Sequence, residues 1–146
     1  MQLSEHFTLE EFIRSDSAKK LGNDNMPTPA HLENLKKTAA GFEKVRAILG
    51  GESIKITSGY RNPAVNKSVG GTPTSAHPQG FAGDFRHASL TPLECARKLR
   101  DSDLMFDQLI LETSRNIVHI GFGPGSRRMV GEQKGAAGTA IVWKLP

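Results

Sequence analysis

A chain of 146 residues with 37% hydrophobic and 23% charged content can bury one core but hardly two, and its composition is that of an ordinary globular domain. Its net charge of +4 and pI near 9.4 come from scattered pairs, Lys19-Lys20, Lys36-Lys37 and Arg127-Arg128. They form no clustered basic and aromatic surface, so nucleic acid is not an expected partner. No apolar run approaches the roughly 20 residues that span a bilayer, so stable membrane association is not expected. A single cysteine, Cys95, excludes an internal disulfide framework.

The opening MQLSEHFTLEEF carries acids where a secretory signal needs a basic start and an apolar centre. The expectation is a protein made in the cytoplasm without a Sec signal. Thr8 and Glu11 have capping-box spacing, Leu9, Phe12 and Ile13 form a short apolar face, and Gly22 closes this first segment. Thr28-Pro29 is an N-cap followed by a first-turn proline, and Leu32, Leu35, Phe42, Val45 and Leu49 recur at helical spacing. A main helix is therefore predicted over 29–49, stopped by Gly50-Gly51. A third helix starts at Thr91-Pro92, with Glu94 as its capping acid, and runs to about Arg100.

Strands are predicted at 53–57, 82–85, 108–112, 117–122 and 140–143, the third and fourth joined as a hairpin through Thr113–Asn116. The glycine-rich stretch 123–139 reads as a mobile loop. The fold class is α+β: one domain over 1–146, with helices packed on one side of a small, mostly antiparallel sheet. A monomer is the default expectation. Trp143 reads as a cap on the core, Cys95 as a small core residue, and His6, His31 and His87 as structural or solvent-facing.

Three side chains stand out as metal-ligand candidates. His77 and Asp84 are seven apart with Gly80 and Gly83 between them, so the chain can leave a loop at His77, turn through Pro78-Gln79-Gly80 and enter a strand carrying Asp84. Alternation along 117–122 puts Ile117, His119 and Gly121 on one face and Val118, Ile120 and Phe122 on the other. Two imidazoles and one carboxylate suit Zn²⁺ with a fourth position left for water. On spacing alone, the same residues also read as a satisfied core histidine, a turn aspartate and a surface histidine.

The stretches Ser58-Gly59-Tyr60-Arg61-Asn62-Pro63, Gly70-Gly71 and Ser75-Ala76-His77-Pro78-Gln79-Gly80-Phe81-Ala82-Gly83-Asp84-Phe85 together resemble the zinc D-Ala-D-Ala peptidases. The likeness is strongest to their phage-type branch, which includes D-Ala-D-Ala carboxypeptidases and L-alanyl-D-glutamate endopeptidases. It takes in the opening HFTLEEFIRSDSAKKLG and the later FDQLILE and VHIGF, about 6–122 in all. The resemblance implies a hedgehog/D-Ala-D-Ala peptidase-like fold and a hydrolase acting on peptidoglycan stem peptides. It implies Zn²⁺ on His77, Asp84 and His119, with Arg61 facing the substrate and Ser75 supporting substrate or loop. It also implies action on the cell wall, by an enzyme released at lysis or carried by a phage particle.

One position departs from the family pattern. Many members carry an acid three residues before the last histidine ligand, and this chain has Asn116 there. An amide cannot take a proton from water, so Glu112, at the end of the preceding strand, becomes the expected catalytic base, with Asp107 as second candidate. Three readings follow: an endolysin-type endopeptidase first, a D-Ala-D-Ala carboxypeptidase second, and a catalytically inert zinc-binding structural or wall-binding module third.

Overall fold

The computed structural model describes residues 1–72 and 75–146. Helices α1 (Leu9–Ile13), α2 (Asp16–Lys20) and α3 (Pro29–Ile48) lead into strand β1 (Ile54–Ser58). Helix α4 (Pro63–Ser68) and a 3-10 turn (His77–Gln79) precede β2 (Ala82–His87). Helix α5 (Pro92–Arg100), the hairpin of β3 (Gln108–Glu112) and β4 (Ile117–Gly121), and β5 (Met129–Gln133) complete the order.

The cap signatures behave as their chemistry dictates. Thr8, Thr28 and Thr91 each accept a hydrogen bond from a first-turn N–H, satisfying a donor the helix itself cannot. The opening segment is two short helices instead of one, because Ser15 caps a second start at Asp16. Asn62 and Pro63 open α4 by the same cap-then-proline device, and this helix was not anticipated.

The strands form one sheet in the order β1-β2-β4-β3-β5. All neighbours are antiparallel except β3 and β5, which run parallel. The expected hairpin of β3 and β4 is present, with Glu112 opposite Ile117. Two expectations at the C-terminal end are corrected. The stretch 123–139, expected to be a mobile loop, contains β5, held along the whole length of β3. The segment 140–143 is not a strand; only Val142 bridges to Glu132.

One face of the sheet carries Phe85, Leu109, Leu111, Val118 and Ile120 into the core, where they meet Phe12 of α1, Phe42 of α3 and Leu99 of α5. Phe42 is the hub, with the rings of Phe7, Phe12, Phe85 and Phe122 all 5.7 to 5.8 Å from its own. Cys95 is buried here as expected. Trp143 is not: it is 45% exposed and stands outside the core. With one face filled by helices, the other is left for Asp84 and His119. Among the described residues, no helix is long and apolar enough to cross a membrane.

Candidate active site

Strand pairing brings two of the three ligand candidates together. Asp84 on β2 lies directly opposite His119 on β4, so both side chains leave the sheet on the face opposite the core helices. His77 arrives from outside the sheet. Its 3-10 turn ends at Gly80, whose φ of 82° favours glycine, and a Cβ there would stand 2.8 Å from the His31 carbonyl oxygen of α3. Thr38 of α3 donates to the Gly80 carbonyl at 2.7 Å, pinning the turn to the main helix.

The outcome is a tight, buried group. His77 Nε2 lies 3.1 Å and His119 Nδ1 lies 2.9 Å from the same oxygen, Asp84 Oδ1. Potential ligand atoms of the three residues all fall within 4.8 Å of one another. The tautomer of His77 follows from its other nitrogen. Nδ1 is 2.6 Å from the Gly59 carbonyl, which can only accept, so Nδ1 carries the proton. Nε2 then directs a lone pair at a carboxylate oxygen, and two acceptors facing each other call for a cation between them.

The electrostatics agree with that requirement. Burial pushes His77 below the usual imidazole range, with Asp84 opposing and Arg61 assisting, so the ring is neutral as a ligand must be. Asp84 Oδ2 is buried without a hydrogen-bond partner, with Arg115 Nη2 3.9 Å away. A backbone carbonyl orienting one histidine from behind is the usual outer support of a metal ligand. The donor set fits Zn²⁺.

The cleft over this group is lined by Arg61, Ser75, His77, Glu112, Arg115 and His119, so every expected site residue except the deeper Asp84 faces one space. Arg61 is only 7% exposed, and its Nε is buried without a partner. Its guanidinium pKa is depressed by burial, against the attraction of Asp84. Ser75 accepts from the His77 N–H at 3.3 Å, so it supports the ligand-bearing loop.

Glu112, 5% exposed, is paired with Arg115 Nη2 through its Oε1. Burial would lower the Arg115 pKa, but the hydrogen bond and charge of Glu112 outweigh it and raise it. Sequence reasoning passed over Arg115. Its place three residues after Glu112 was the available signal, and it resembles any short-range surface pair. Asn116 ends the hairpin turn with φ of 54°, and its carbonyl accepts from Arg86 Nε at 3.0 Å. Asp107, the second candidate base, is instead gripped by Arg127 through Nε at 2.8 Å, Nη2 at 2.9 Å and the backbone N–H at 3.2 Å.

The remaining histidines have structural partners. His6 Nδ1 meets Glu43 at 2.7 Å, His31 Nδ1 meets the Tyr60 hydroxyl at 3.1 Å, and His87 Nδ1 accepts the N–H groups of Ser89 and Leu90.

Comparison with curated proteins finds no match. The sequence model of the family described as Peptidase M15 matches residues 5–121, a span that opens before α1 and closes at the end of β4. The peptidases of that family are zinc dependent, in keeping with the cation that the facing acceptors of His77 and Asp84 demand. On the strength of that match, this chain belongs to the peptidase M15 family and is a zinc metallopeptidase.

Proposed function

We propose that the protein is a zinc-dependent peptidoglycan peptidase of the endolysin kind, an endopeptidase that hydrolyses cell-wall stem peptides. The observation that carries this reading is the position of Glu112. Its carboxylate faces the same cleft as His77 and His119, from the strand next to the one that bears His119. The family's usual acid position holds Asn116 in a left-handed turn, and the hairpin offers Glu112 in its stead.

Held by His77, Asp84 and His119, Zn²⁺ supplies Lewis acidity that brings the pKa of water towards about 7. The protein's own groups do the rest. Glu112 takes the proton of the attacking water and passes it to the departing amine as the C–N bond breaks. Arg115 grips Oε1 of Glu112, and no described residue hydrogen-bonds Oε2, which is left for that transfer. Arg61, buried and short of a partner at Nε, holds substrate charge and the oxyanion of the tetrahedral intermediate. Ser75 keeps the His77 loop in register and borders the substrate.

The substrate is a stem peptide of the wall, reached through a membrane lesion at lysis or from a phage particle, by a protein acting as a monomer. The likeness of the opening HFTLEEF segment to phage-type relatives supports this choice. Arg61 favours a second reading, a D-Ala-D-Ala carboxypeptidase, because a buried guanidinium suits a terminal carboxylate equally well.

The test is turbidity loss of outer-membrane-permeabilised Gram-negative cells, with wild type, Glu112→Gln and His119→Ala assayed beside their zinc content. Clearing by wild type, loss of both zinc and activity in His119→Ala, and a zinc-loaded but inactive Glu112→Gln are expected. Product masses then separate the two enzymatic readings: whole stems freed from glycan, or loss of a single alanine. Wild type that holds zinc and releases nothing from purified sacculi would leave an inert zinc-binding structural or wall-binding module.

A further inference from the structure

The matched family span ends at 121, yet the cleft does not. Gln133, Thr139 and Ile141 also line it, all from the chain beyond that span. The register explains how they reach it. Asp84 pairs with His119, His119 with Ile110, and Ile110 with Gly131, so one row of residues crosses the sheet from the metal group to its edge strand. Ile110 faces the cleft, and its parallel-strand neighbour Gly131 faces the same way.

Gly131 has no side chain, and the C-terminal segment occupies the vacancy. A Cβ on Gly131 would lie 2.9 Å from each of three atoms: Ile141 Cγ2, Trp143 Cε3 and the Val142 carbonyl oxygen. Val142 is held to β5 by two backbone hydrogen bonds with Glu132, of 2.8 and 2.9 Å. Ile141 and Trp143 therefore lean together over the sheet face that bears the ligands. Ile141 forms cleft wall, and Trp143, 45% exposed, stands beside it on the same face of the sheet. A large aromatic side chain that packs against Gly131 at the end of this row, yet is 45% exposed and outside the core cluster, is free to meet a ligand.

We infer that Trp143 is a carbohydrate subsite, on which a sugar ring of the glycan strand stacks while its attached stem peptide lies across the metal group. This rests on the peptidoglycan reading above. An indole face is electron-rich, and a pyranose presents an apolar face of electropositive C–H groups that complements it. Distance favours the match. His119 and Gly131 are two strand spacings apart, roughly 10 Å. For a cut after the first stem residue, as in an L-alanyl-D-glutamate endopeptidase, one extended residue and a linker of similar length span roughly 7 Å, and half a sugar ring covers most of the remainder. The substrate class is thus a glycan-linked stem, in preference to a free peptide.

Trp143 is the only tryptophan, so its emission reports on this place alone. The zinc-loaded Glu112→Gln protein is titrated with a disaccharide-linked stem peptide and with the same peptide lacking sugar. A change in emission with the sugar-linked peptide only is expected, and equal or absent changes with both overturn the subsite whether or not the wild type is an active peptidase. In parallel, Trp143→Ala should raise KM about tenfold on the sugar-linked substrate, leave the sugar-free peptide unchanged, and be partly rescued by Trp143→Phe. Equal loss on both substrates overturns the subsite. Failure of wild type to cleave either substrate overturns the peptidase reading instead, and the emission titration still decides on Trp143.

Discussion

His77 Nδ1 donates to the Gly59 carbonyl at 2.6 Å, and this contact decides which nitrogen His77 presents to Asp84. Gly59 itself is held by close packing, since a Cβ there would lie 2.6 Å from the Phe12 carbonyl oxygen of α1. The short N-terminal helix thus sets, through one backbone carbonyl, the tautomer of a metal ligand. A ligand set preformed in this way couples metal binding to folding. Zinc at a hundredfold excess over its Kd stabilises the folded state by about 2.7 kcal/mol. For a chain of this length that is a rise in Tm of about 5–10 °C. Thermal unfolding before and after chelation, followed by zinc restoration, measures it. A Tm that ignores both steps would remove the metal from this site.

Glu112 and Asn116 flank the same turn but have separate tasks, and substitution tells them apart. Glu112→Gln should bind zinc normally and lose about 10²- to 10⁴-fold in kcat, the usual worth of a positioned base. Asn116→Asp, placed on the Glu112→Gln background, should recover nothing, because residue 116 is committed to a left-handed turn. Rescue by Asn116→Asp would return the base to the family's ordinary position. Single-turnover hydrolysis of a purified stem peptide is the measurement.

The part of the site visible in sequence is the part that local pattern governs. β3 and β4 could be read because alternation and a four-residue turn lie within one stretch of chain, and their pairing brings Glu112 up to Ile117. β5 could not. Met129-Val130-Gly131-Glu132-Gln133 mixes a glycine and an acid into a short run, and its strand state comes from parallel pairing with β3, a contact distant in sequence. α4 does carry a local signal, since Asn62-Pro63 repeats the cap-and-proline pattern of Thr28-Pro29 and Thr91-Pro92. The place of Trp143 outside the core had no sequence signal at all, because it is set by packing against Gly131, a contact distant in sequence.

Cys95 offers a check on the core that is independent of catalysis. Burial, and secondarily the neighbouring Glu94, pushes its thiol up to about 11. At pH 8 only about one molecule in a thousand would carry the reactive thiolate. A thiol reagent should therefore leave the folded protein unmodified over hours and label Cys95 at once in denaturant. Rapid labelling under native conditions would mean that α5 opens readily from the sheet.

The Asp107–Arg127 clamp ties the start of β3 to the segment before β5, and its pH dependence has a definite sign. The hydrogen bond from Arg127 holds the Asp107 carboxyl below the usual range, and burial opposes it only in part. A carboxylate with a depressed folded pKa contributes stability above its unfolded value, near 3.9, and loses it as pH falls through the folded value. Asp107→Asn should accordingly be less stable than wild type at pH 7, and the gap should narrow as the pH drops below about 4. Denaturant midpoints for both proteins between pH 7 and pH 3 give the comparison. The variant should also keep its hydrolytic activity at pH 7, because Asp107 is occupied by Arg127 and Glu112 faces the ligands. A constant gap across the range would show that the clamp does not depend on the Asp107 charge, and a loss of turnover without loss of folding would move the base from Glu112 to Asp107.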